Sequence, residues 1–144
     1  MRYLVNGEGL VLGRLSSSVA KLLLQGNEVV VVNAEKIMIT GHAPDIIAKF
    51  KRLIELKDKA NPEHSPYFSR RPDLMVKRVV RGMLPYKKPK GKTAYGRLRV
   101  YMGSGDAKGI KDTEAYDTKA KKASEAYENA ITVKELSEKL GYGR

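Results

Sequence analysis

Val29-Val30-Val31-Val32 is the stretch that most narrows what this chain can become. Four consecutive β-branched residues do not alternate with polar ones, so a strand built from them has to be covered on both faces, as strands of parallel sheets are. Upstream, Tyr3–Val5 is short, apolar and partly β-branched, and it runs into Asn6-Gly7, which marks a first strand and its turn. Between the two, Leu12, Leu15, Val19, Leu22 and Leu23 follow one stripe of a 3.6-residue period, and Gly26 stands where a helix cap belongs. Strand, helix and buried strand make a βαβ unit, with the right-handed crossover such units adopt.

The rest of the chain reads as further elements around that unit. Ile37–Ile39 is a short strand or a turn-rich connection, and Pro44 opens a second helix with Ile46, Ile47, Phe50, Leu53 and Ile54 as its buried stripe. Residues 58–69 are polar and proline-punctuated, a loop. A third helix is expected from Pro72 to about Leu84, turning Leu74, Met75, Val79, Val80 and Met83 to the core and Lys77, Arg78 and Arg81 away from it. Pro85–Lys92 (PYKKPKGK) is too rich in proline for regular structure, so its lysines should project from a loop. Leu98–Met102 reads as a return strand ended by Gly103-Ser104-Gly105.

Beyond it, Asp106 to about Asn129 is dominated by Lys, Ala, Glu and Asp and is expected to be an exposed or extended arm. Thr132 and Glu135 form a capping-box pattern for a last helix with Val133, Leu136 and Leu140 on one face and Gly141 closing it. A length of 144 residues fits one domain, with a core of about 1–105 and a C-terminal extension of about 106–144. There is no internal repeat. No apolar run approaches the ~20 residues of a membrane helix, and MRYLVNGEGL lacks the pattern of a secretory signal, so no membrane partner is expected and the location should be cytoplasmic.

Charge is distributed very unevenly. Of the net +12, about ten units fall within Arg70–Arg99, where Arg70, Arg71, Lys77, Arg78, Arg81, Lys87, Lys88, Lys90, Lys92, Arg97 and Arg99 face one acid, Asp73. Charge gathered in this way repels itself unless a polyanion or counterions neutralise it. Arginine forks two N–H groups onto phosphate oxygens and lysine adds a mobile point charge, so a mixture on a helix face and the next loop can follow a phosphate backbone. Without a helix-turn-helix, zinc finger or basic zipper, folded RNA is favoured over duplex DNA.

Motifs that would signal catalysis are incomplete. Gly7-Glu8-Gly9-Leu10-Val11-Leu12-Gly13 lies between a strand and a helix like a dinucleotide fingerprint, but its third glycine is one residue late and the second strand ends at Asn33 rather than an acid. Gly91-Lys92-Thr93 ends like a phosphate-binding loop, yet Tyr86 occupies the position of the first glycine. His42 and His64 have no ligand-spaced partners, and the absence of cysteine excludes disulfides and Cys-based zinc sites. Ser16, Ser17 and Ser18 lack a base and a nucleophile-elbow pattern. No enzyme, cofactor or small-molecule substrate is expected. The alternative to an RNA-binding structural protein is a nucleotide-dependent enzyme on a similar core, while a free regulatory RNA-binding role is compatible with the structural one.

Four blocks carry a resemblance to a known family: Val11–Ser16 (VLGRLS), Val31–Gly41 (VVNAEKIMITG), Val79–Lys88 (VVRGMLPYKK) and Gly96–Gly103 (GRLRVYMG). In that order, over roughly residues 2–105, the chain resembles the universal large-subunit ribosomal protein family thirteen in its archaeal and eukaryotic form. The resemblance implies a three-layer α/β/α fold around a small, mostly parallel sheet. It also implies a non-catalytic place in the large ribosomal subunit, supporting its assembly, in contact with ribosomal RNA and neighbouring proteins. Arg14, Arg81, Lys87, Lys88, Arg97 and Arg99 lie inside matched blocks and are the RNA-contact candidates it supplies, whereas Lys90 and Lys92 rest on local charge alone. The N-terminal extension of many bacterial members has no counterpart here, and for residues 106–144 the family implies little.

Overall fold

The structure is a computed structural model that describes residues 1–104, 110, 113–118 and 128–143. In chain order its elements are β1 (Arg2–Asn6), α1 (Leu12–Leu24), β2 (Glu28–Val32), β3 (Met38–Thr40), α2 (Ala43–Glu55), α3 (Pro72–Met83), α4 (Pro89–Gly96), β4 (Leu98–Val100), β5 (Glu114–Ala115), β6 (Ala130–Thr132) and α5 (Val133–Lys139). Four strands form a parallel sheet in the order β4, β2, β1, β5, and β3 pairs antiparallel with β6 beside it. This is the α/β class expected from the valine run. Val29 and Val31 are fully buried in the main core with Val5 and Leu98, while Val30 and Val32, on the other face, are 2% and 5% exposed. Both faces of β2 are therefore covered.

Local chemistry explains the unit. Leu15, Val19 and Leu23 of α1 are wholly buried, and the helix ends in a Schellman motif: Gly26, at φ +93°, donates to the Leu23 carbonyl and Asn27 to that of Leu22. Gly7 is glycine for a different reason. Its N–H bonds the Val32 carbonyl at 3.0 Å, and a Cβ there would lie 2.6 Å from Ile37. The last helix, α5, starts with Thr132 Oγ1 accepting the Glu135 N–H at 3.1 Å and buries Val133 and Leu136 completely. No helix of the described residues is long and apolar enough to cross a membrane.

Several expectations need correction. The apolar stripe of α2 points inward but is only half-buried, because few elements pack on it. On α3, Leu74 and Met83 are 40% and 42% exposed, and the buried side is Pro72, Met75, Val76 and Val80. Leu74 stands about 200° around the helix from Val76, and Met83 is the last residue of the helix. Residues 85–92 are not all loop, since α4 begins at Pro89 and buries Gly91 and Ala94. Proline is accommodated in a first helical turn, whose N–H has no partner within the helix. Much of the expected arm lies outside the described residues, but Glu114–Ala115 adds β5 to the sheet edge beside β1 and Tyr116 sets its ring edge-on to Tyr3 at 5.4 Å.

Candidate nucleic-acid interface

Helix α3 is amphipathic in two senses. Val76 and Val80 fix one side in the core, which forces Lys77, Arg78 and Arg81 to the other. Leu84 leaves the helix in extended conformation ahead of Pro85, and the chain turns at once into α4, with the Lys88 N–H bonded to the Pro85 carbonyl at 2.9 Å. That tight turn carries Lys87 and Lys88 beside Arg81. Gly91 makes it possible, because any Cβ there would run into the Pro85 carbonyl.

Each cation of α3 lies over an aromatic ring. The Arg81 guanidinium is 4.1 Å from the Tyr86 ring centre, that of Arg78 is 4.2 Å from Phe68, and Lys77 Nζ is 5.1 Å from Tyr95. Tyr86 and Tyr95 meet edge to face at 5.4 Å, and burial pushes the Tyr95 phenol above its ordinary pKa while the Arg81 charge works the other way. Arg78 also donates to the Tyr67 carbonyl at 3.1 Å. A guanidinium held by its face on a ring keeps its N–H edges for a second partner. The result is an open cleft of about 520 Å³ edged by Arg78, Arg81, Tyr86, Lys87 and Lys88, with no carboxylate among the described residues lining it.

The other cations expected at an interface are dispersed. Arg70 donates through Nε to the Leu140 carbonyl at 2.9 Å, and Arg97 through Nη1 to the Leu23 carbonyl at 3.3 Å. Arg71 pairs with Asp73 at 2.9 Å. Arg99 stands opposite Val30 in the sheet register, on the face away from Val29 and Val31, and shares a second cleft with Arg2 and Glu28. Lys90 and Lys92 are exposed on α4, and Arg14 is exposed on α1. Reading the sequence by charge missed Phe68, Tyr86 and Tyr95. Their spacing among the basic residues was the available signal.

Elsewhere the geometry is structural. The N–H groups of Gly7, Glu8, Gly9 and Leu10 bond to Val32, Asn6, Lys36 and Gly7 respectively, so the glycine-rich turn offers no cradle of open amides to a pyrophosphate. Gly91-Lys92-Thr93 lies inside α4 rather than in a loop. His42 pairs with Asp45 at 3.3 Å and His64 lies 3.4 Å from Asn61, both in exposed positions, and no group of three potential metal ligands occurs among the described residues.

Comparison with known proteins agrees with the blocks noted in the sequence. The family described as Ribosomal protein L13 matches residues 1–107. The chain is 42% identical over 138 residues to the large ribosomal subunit protein uL13 of Methanocaldococcus jannaschii, covering 95% of this chain and 96% of that one. It is 43% identical over 139 residues to the protein of the same description from Archaeoglobus fulgidus, covering 96% and 86%. To that of Methanopyrus kandleri it is 38% identical over 144 residues, again covering 96% and 86%. With a profile match over most of its length and relatives aligned nearly end to end, the chain belongs to the ribosomal protein L13 family.

Proposed function

We propose that the chain, a non-enzymatic structural constituent of the large ribosomal subunit as its family membership implies, binds large-subunit ribosomal RNA through the cleft between α3 and the Pro85 turn and so supports assembly of the subunit. The observation that carries the reading is one cleft edged by four cations, two of which, Arg78 and Arg81, are seated on aromatic rings, with no carboxylate among the described residues lining it. Phosphates would be met there by Arg78, Arg81, Lys87 and Lys88, with Lys77, Lys90 and Lys92 at its margin. Arg14, Arg71 and Arg99 would extend contact beyond it, and Arg70 and Arg97 would act mainly by holding the fold. Neighbouring subunit proteins are the further partners, in the cytoplasm.

Titration with purified large-subunit ribosomal RNA tests this. Affinity should fall steeply with salt, with a log–log slope near −0.7 per phosphate neutralised if the contacts behave as single strands. Replacing Arg81, Lys87 and Lys88 together by alanine should flatten that slope by up to about 2. Thermal unfolding at physiological ionic strength, where repulsion among the cations is screened, should change little, since an exposed cation–π contact contributes only about 0.5–1 kcal/mol. Unaltered RNA binding in the triple variant would refute the assignment.

A further inference from the structure

We infer that Gly82 is a contact point for the ribose-phosphate backbone, the place on α3 where the RNA strand comes closest to the protein. The inference rests on the RNA reading above and adds to it a residue that carries no charge. Glycine is the least favourable helix residue after proline, because it loses the most backbone freedom and packs no side chain. A glycine inside a helix therefore needs a reason.

The fold supplies reasons for most described glycines. Gly9, Gly26, Gly41, Gly103, Gly141 and Gly143 have positive φ, while at Gly7 and Gly91 a side chain would strike Ile37 or the Pro85 carbonyl. Gly13, Gly82 and Gly96 have neither excuse. A Cβ built on Gly82 meets nothing within 4 Å, and its backbone is helical and exposed. Alanine would suit the free protein better.

Of those three, only Gly82 lines the cleft edged by Arg78, Arg81, Lys87 and Lys88. A missing side chain on the wall of a cationic cleft lets a strand settle against the helix itself, as glycines do where a backbone approaches phosphates. Coulomb attraction falls with distance, so a strand held off by a side chain here would lose part of its attraction to all four cations together. The cleft's charge selects a polyanion. Met83, next in the chain and 42% exposed, borders a separate groove between α3 and α1 together with Lys21.

The test titrates the full chain, Gly82→Ala and Gly82→Leu with purified large-subunit ribosomal RNA across a range of salt, beside thermal unfolding of each. Gly82→Ala should unfold at or above the parent temperature yet bind more weakly, and Gly82→Leu should bind at least about tenfold more weakly with a flatter salt slope, although no charge is removed. Parent-like affinity in both variants overturns the inference and leaves the RNA reading standing. A parent that ignores the RNA overturns both. A lowered unfolding temperature in Gly82→Ala overturns the premise that the fold has no need of glycine there.

Discussion

Gly91 shows how much a single hydrogen can decide. Its missing side chain lets α4 close on the Pro85 carbonyl, so Gly91→Ala must push the turn open or shift the helix. We expect a loss of about 1–3 kcal/mol in denaturant unfolding, the range of overpacked sites. A second residue-scale effect depends on pH. Arg2 Nε donates to Glu28 Oε2 at 2.7 Å across β1 and β2, and that hydrogen bond, then the arginine charge, holds the Glu28 carboxyl below its usual range. A lowered carboxylate pKa contributes stability above the unfolded value of about 4.3 and loses it as pH falls through the lowered one. Glu28→Gln should therefore unfold at a slightly lower temperature than the parent at pH 7, with the gap closing in acid. The sequence shows that Arg70 and Arg97 are charged, but not what holds them. Their carbonyl acceptors lie 70 and 74 residues away in the chain, beyond the reach of any local pattern.

Elements were legible where a pattern and its boundary signal agreed. The stripe and glycine cap of α1, the valine run of β2 and the Thr132 cap of α5 all depend on neighbours within a few residues, and all formed as the sequence implies, although of the Thr132–Glu135 box only the bond from the Glu135 N–H to the Thr132 hydroxyl is seen. α4 was obscured because proline has opposite meanings at a helix start and in its interior, and nothing local distinguishes them until Gly91 meets Pro85. β5 was obscured because an edge strand of two residues needs only hydrogen bonds to β1, not an apolar run. Among these elements α5 is held at both ends, by its cap and by Ser137 Oγ donating to the Arg70 carbonyl at 2.6 Å. Thr132→Ala should cost about 1 kcal/mol, within the range for lost N-caps. Hydrogen exchange should show the α5 amides opening before those of β2, and equal protection in variant and parent would mean the cap contributes nothing.

At the scale of the whole molecule, the charge gathered in the proposed interface should also strain the free protein. Arg70–Arg99 holds eleven basic side chains against one acid, and Arg78, Arg81, Lys87 and Lys88 edge a single cleft. Their mutual repulsion is screened over about 30 Å at 0.01 M salt but over about 8 Å at 0.15 M. Repulsion among them should therefore act strongly in dilute buffer and weaken at physiological ionic strength. Ion pairs would give the opposite trend, but the described pairs, Arg2 with Glu28, Lys36 with Glu8, His42 with Asp45 and Arg71 with Asp73, are mostly exposed, and such pairs contribute little. Like-charge repulsion should win. The unfolding temperature of the free chain should rise between these two salt concentrations by at least about 4 °C, which for a chain of this size corresponds to about 1 kcal/mol. In the variant lacking Arg81, Lys87 and Lys88 the rise should be smaller, because the cleft then holds one cation where it held four. A fall in unfolding temperature with salt would mean that attraction, not repulsion, dominates the free protein, and that the basic cleft needs no polyanion to relieve it.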